Sequence, residues 1–162
     1  MVGSAPFARP WPVELLDELL RLHGRFKTTF ADVRQATGLN ETELMVLNAV
    51  AEAREAATVS QIARSLGTSR QLVQKATNAL RDCGMVETFP NPADKRAPLL
   101  RLGVHGGAVK ATLDAGALAL CRALDSKVDL DELSAALRSL RSVRAAMEDH
   151  CRQAPPDRSP AR

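Results

Sequence analysis

The sequence predicts a mainly α-helical fold carrying one two-stranded β-hairpin, with long helices towards both ends of the chain. Three observations predict it. Apolar residues recur at helical spacing over most of the 162 residues. Short helices in the middle are punctuated by Thr37-Gly38, Gly67 and Gly84. A single stretch rich in turn residues, Pro90 to Pro98, separates two strand-like segments, 85–89 and 99–102.

The elements follow in order. A first helix is expected over 13–36, where Leu15, Leu19, Leu22, Phe26, Phe30 and Val33 share a stripe. Asn40 and Glu43 have capping-box spacing, with Leu39 and Leu44 placed as a hydrophobic staple, and open a second helix to about Ala53. Thr58 and Gln61 repeat the box for a short third helix whose buried stripe is Val59, Ile62, Ala63 and Leu66. Gly67 ends it in a left-handed turn, and a fourth helix runs from Ser69 or Arg70 to about Asp82. After the hairpin, a fifth helix spans about Val104 to Ser126 on Val109, Leu113, Leu120 and Leu124. Asp129 caps a sixth, with Glu132 at the box position and an apolar face of Leu133, Leu137, Leu140, Val143 and Met147. The chain therefore divides into a flexible arm (1–12), helical regions at 13–36 and 104–150, a central lobe (37–103) and a disordered tail (151–162).

Composition excludes several functions. Aromatic residues are 3% with no tyrosine, which leaves no stacking platform for single strands. No apolar run approaches the ~18 residues of a membrane span, and the N-terminus, broken by Pro6, Pro10 and Pro12, lacks a secretory core, so the cytoplasm is expected. Cys83, Cys121 and Cys151 are odd in number and contain no CxxC, which suits neither a disulfide framework nor zinc. Cys83 falls on the apolar half of the fourth helix and is expected to be buried. Glu148-Asp149-His150-Cys151 are consecutive at a helix end and do not converge, so no metal is expected. There is no GxSxG, GxGxxG, phosphate loop or HExxH, and His105-Gly106-Gly107 reads as a helix start, not an oxyanion hole. Neither an enzyme nor a cofactor is expected.

The fourth helix carries the most information. On a wheel of about 100° per residue, Gln71, Gln74, Lys75 and Asn78 share one face, with Arg70 and Arg81 at its edge. Leu72, Val73, Ala76, Ala79, Leu80 and Cys83 make the apolar half. Glutamine, asparagine, lysine and arginine can bond base edges in a major groove, and the basic residues can also hold phosphates. Thr68 and Ser69 lie at the helix N-terminus, where outward N–H groups suit a phosphate; the Thr68 hydroxyl is alternatively a cap, reciprocal with Gln71. Residues 54–101 hold eight basic and four acidic side chains, a balance of +4, whereas residues 1–53 carry −2 and 102–150 carry −1. A basic middle between acidic flanks is the footprint of a duplex partner. At the hairpin tip, Asp94-Lys95-Arg96 suit a wing from which Arg96 reaches a minor groove, with Asp94 expected to orient Arg96 or a nearby basic residue by a charge-assisted bond.

At residues 13 to about 150 the chain resembles the MarR-type winged helix–turn–helix regulators. The segments that carry the resemblance are ETELMVLNAVAEA, VSQIARSLGTSRQLVQKATNALRDCGMVE, and NPADKRAPLLRL, in which Asp94-x-Arg96 is followed by Leu102 and Gly106. The sequence departs from that pattern at Gly103, where a threonine cap is common, and at Thr68, usually apolar. The resemblance implies a homodimer built by the first, fifth and sixth helices, with two recognition helices ~34 Å apart on a near-palindromic duplex. It further implies a repressor relieved by a small aromatic effector, with His23, Phe26 and Phe30 as lining residues. Two rival readings are a winged-helix protein-interaction module without DNA, and a thiol-based redox sensor.

Overall fold

The computed structural model describes residues 8–153. Among them the order is α1 (Trp11–Thr29), α2 (Ala31–Thr37), α3 (Glu41–Glu52), β1 (Ala57–Thr58), α4 (Val59–Leu66), α5 (Arg70–Asp82), β2 (Val86–Phe89), β3 (Leu99–Leu102), α6 (Val104–Leu124) and α7 (Leu130–Gln153). The chain separates into two compact units, 1–117 and 118–162. Of the arm and tail expected at 1–12 and 151–162, residues 1–7 and 154–162 lie outside the described residues; Trp11 and Pro12 begin α1, and Cys151–Gln153 end α7.

The first unit is built on the expected caps. Asn40 and Glu43 exchange bonds at 2.9 and 3.0 Å to start α3, and Thr58 and Gln61 do so at 2.8 and 3.3 Å to start α4. Gly38, Gly67 and Gly84 hold φ of 65°, 62° and 68°, a left-handed backbone that glycine adopts without Cβ strain, and they close α2, α4 and the turn after α5. Inside, Val46, Leu47 and Val50 of α3, Val59, Ile62 and Ala63 around α4, and Val73, Ala76 and Leu80 of α5 form one buried cluster, floored by Val86 and Leu100. In the second unit, the Asp129 carboxylate accepts from the amides of Asp131 (2.9 Å) and Glu132 (3.0 Å) and so caps α7.

Four expectations are corrected. The first helix is two: Phe30 leaves helical geometry (φ −99°, ψ 15°), two residues after the Thr28 hydroxyl donates back to Gly24 O, a bond that bends helices. The apolar stripe runs on across the break, so periodicity does not reveal it. The hairpin is the outer part of a three-stranded antiparallel sheet of order β1-β3-β2, with Ala57 opposite Leu100 and Val86 opposite Leu102. A two-residue strand carries no alternation to read. Helix α5 is buried through Val73, Ala76, Thr77 and Leu80, while Leu72 on the other flank of its expected apolar half is 51% exposed. Cys83 is exposed because α5 ends at Asp82, and Cys83, as its C-cap, has left the buried stripe.

The departure at Gly103 has a steric cause. A Cβ there would lie 2.3 Å from Gly84 O, and one at Gly106 would lie 2.0 Å from Met85 O. The two backbones touch, and the Gly103 amide donates to Met85 O at 2.9 Å. Gly106→Ala should therefore destabilise the protein by more than about 2 kcal/mol in chemical denaturation. Gly107→Ala, in open space on the same helix, should be neutral or stabilising by up to about 1 kcal/mol. Equal effects of the two would remove the close-contact explanation.

Candidate nucleic-acid interface

The Ser69 hydroxyl accepts from the Leu72 amide at 3.2 Å and is the N-cap of α5. Thr68 is not the cap; its amide donates to Ala63 O at 3.0 Å and closes the preceding helix. With one stripe of α5 held in the core, Arg70, Gln71, Gln74, Lys75 and Asn78 line a single open concave surface. Gln74 donates to the Asn78 Oδ1 at 3.1 Å, one turn away, which fixes the mutual orientation of the two amides.

The hairpin connection is ordered by its own side chains. Asn91 donates to Ala97 O at 2.9 Å and accepts from the Ala93 amide at 3.0 Å. The Asp94 carboxylate accepts from the Arg96 backbone amide at 2.9 Å. This corrects the expected pairing with the guanidinium: the carboxylate shapes the turn and leaves the Arg96 side chain exposed. At the stem, the Arg101 guanidinium lies 4.8 Å from the Phe89 ring centroid.

Arg96 does meet the helix. Together with Arg70, Gln74 and Arg81 it lines a small cleft of about 70 Å³ between α5, the start of α4 and the hairpin base. Thr68, Ser69, Asp94 and Lys95 line neither this cleft nor the open surface. Arg81, which the wheel puts only at the edge of the polar face, is thus a member of the site. So is Thr77, whose hydroxyl is buried without a hydrogen-bond partner; an interior threonine in the sequence gives no such signal.

His23, Phe26 and Phe30 come together elsewhere, on a cavity of about 680 Å³ formed by α1, α2, α3 and the first half of α6. The two phenyl rings stack at 6.2 Å and 22°. Glu41 accepts from His23 (2.9 Å) and Lys27 (3.0 Å), joining α1 to α3. Lys110 joins α6 to α3 through Glu52 at 3.0 Å and also pairs with Asp114. The Lys27 hydrogen bond, aided by the charges of Lys27 and His23, holds the Glu41 carboxyl below its ordinary value of 4.5 against the opposing effect of burial. Asp114 and then Glu52 raise the Lys110 ammonium above its ordinary 10.5. Arg34 also lines the cavity, and its Nε is buried without a partner. The contacts of Glu41 with His23 and Lys27 and of Lys110 with Glu52 join distant parts of the sequence and are not visible in local spacing; only the Lys110–Asp114 pair, four residues apart on one helix, is local.

The family model of the MarR family matches residues 15–97. The chain belongs to the MarR family. Two similar mycobacterial proteins are the uncharacterized protein Rv2011c of Mycobacterium tuberculosis and Mb2034c of Mycobacterium bovis. Each is 31% identical over 134 residues, covering 83% of this chain and 92% of the relative. Among solved folds, CouR from Rhodococcus jostii, bound to p-coumaroyl-CoA, aligns with a TM-score of 0.69 at 18% identity over 84% of this chain and 95% of CouR. Staphylococcus aureus MarR, in complex with salicylate and kanamycin, aligns at 0.67 and 14% over 89% of this chain and 95% of that protein. This MarR-family chain therefore has the winged-helix fold of a transcription regulator. No described helix is long and apolar enough to cross a membrane.

The depressed Glu41 carboxyl gives a pH test. Its contribution is complete above pH 4.5 and is lost as pH falls through the lower folded value. Glu41→Gln should lower stability at pH 7 by less than about 1 kcal/mol, because the pairs are exposed. The gap between wild type and variant in thermal melts should close at acid pH; a gap that widens there would contradict the assignment.

Proposed function

We propose that the protein is a homodimeric, sequence-specific double-stranded DNA-binding repressor acting in the cytoplasm on a near-palindromic operator. The observation that carries this reading is the orientation of α5. Its buried stripe turns Arg70, Gln71, Gln74, Lys75 and Asn78 together towards solvent, a set suited to base edges in a major groove. Thr68 and Ser69 lie at the entry of that helix, and Asp94, Lys95 and Arg96 on the wing, where the two basic residues suit the adjacent minor groove.

A second copy is supported by apolar surface that a single chain leaves wet. Neither α1 nor α7 has a buried residue. Leu16, Leu19, Leu20 and Leu22 of α1 are exposed, as are Leu130, Leu133, Leu137 and Met147 of α7. Full burial of a wholly exposed side chain of this size is worth about 1.5–3 kcal/mol, and covering these half-exposed ones about half that each. The cavity at His23, Phe26 and Phe30 suits a small aromatic effector with an acidic group, because two rings form a wall and Arg34 offers an unpaired buried donor. Effector binding would act by favouring a lobe separation that mismatches the groove.

Light scattering should give twice the chain mass of 17.5 kDa. Anisotropy titration against the chain's own upstream DNA should show affinity that falls steeply with salt. No binding, or a flat salt response, would favour the protein-interaction reading, and oxidant-dependent binding lost on cysteine replacement would favour the thiol reading. Gln74→Ala should cost about 1–3 kcal/mol on the preferred sequence and little on others. Arg96→Ala should weaken all sequences with little loss of preference; the opposite pattern would exchange the two roles.

A further inference from the structure

We propose that the cleft between α5 and the base of the wing is the seat of one backbone phosphate of the bound duplex, with Arg81 as its principal ligand. The inference rests on the DNA-binding reading and adds a site to it. Three arginines, Arg70, Arg81 and Arg96, converge on a cavity of about 70 Å³ whose lining contains no acidic residue. The cleft is small, and three guanidinium groups around one small space suit a single oxyanion. Its remaining polar walls are the Gln74 amide and hydroxyls, among them Ser60 and Thr88.

Two further features point to an oxyanion. Thr77 lines the cleft, is 1% exposed, and its hydroxyl has no hydrogen-bond partner. A buried hydroxyl left unpaired in the free protein is a donor awaiting an acceptor. The first turn of α4 also borders the cleft through Thr58, Val59 and Ser60. The early amides of a helix find no acceptor within it and favour negative charge. Among the described residues Arg81 is held only by a 3.6 Å contact with Asp82, both side chains being about half or more exposed, so its guanidinium is available to a phosphate. The location fits a strand of DNA. A helix in a major groove and a wing in the neighbouring minor groove straddle the sugar–phosphate backbone, and this cleft lies between them.

The experiment uses the full chain and a duplex selected by it from a random pool. Phosphates are replaced singly by neutral methylphosphonates, and binding is measured by anisotropy for wild type, Arg81→Gln and Thr77→Val. One phosphate per half-site should cost the wild type about tenfold, and Arg81→Gln, already weaker by a similar factor, should lose little more at that position. The slope of log K against log salt should fall by about 0.9 for each phosphate contact removed. Thr77→Val should fold at least as stably as wild type, since the hydroxyl makes no bond, and show a reduced penalty at the same phosphate. If Arg81→Gln remains as sensitive as wild type at every position, the proposal is overturned. A parallel arm adds inorganic phosphate without DNA, against chloride at equal ionic strength. Stabilisation of wild type but not Arg81→Gln, with no coupling on the duplex, would make the cleft a free-oxyanion site and overturn the assignment to DNA. Failure to select any duplex would overturn both this seat and the regulator reading, whereas a bound duplex without coupling overturns the seat alone.

Discussion

Everything in the first unit depends on how α5 is clamped. Val73, Ala76 and Leu80 enter one cluster with the apolar residues of α3 and α4, and Thr77 joins them at its edge. That packing fixes rotation about the helix axis, and rotation decides which side chains meet a partner. Small Ala63 and Ala76 are among the buried residues that let the two helices cross closely. A change of one methylene in this cluster would act on stability and on the rotation of α5.

Around this clamp the charges divide into two systems. On the α5 and wing side, arginines are left largely unneutralised, and the one acidic residue of the wing connection, Asp94, is used on the backbone. On the α1, α3 and α6 side, carboxylates and cations are paired across elements, through Glu41 with His23 and Lys27 and through Lys110 with Glu52. The first arrangement leaves positive potential on that side of the unit. The second joins helices that otherwise share little packing.

The sequence shows local rules and hides non-local ones. Both capping boxes, the three left-handed glycines and the limits of α4 and α5 follow from residues within four positions of each other, and they are legible. So is the polar face of α5, because side-chain direction on a helix is set by spacing alone. Cys83 and Leu72 defeat the same wheel, since the wheel assumes that a helix continues and that its whole apolar half finds a partner. The break at Phe30, strand β1 and the cavity residues Arg34 and Lys110 depend on contacts between segments far apart in the chain, and no local pattern encodes them. Thr77 and Arg81 lie between these cases: their positions on α5 are predictable, but the cleft they face exists only once the wing has folded against it.

The contact of Gly103 and Gly106 with the turn at Gly84 and Met85 has a mechanical consequence. Most helices meet through side chains that can change rotamer and absorb a displacement. Here main chain rests on main chain, with a hydrogen bond across it and no rotamer to yield. The joint between the end of α5 and the first turn of α6 is stiff, so a tilt imposed on that turn is passed to α5 as a lever passes motion through a fixed fulcrum.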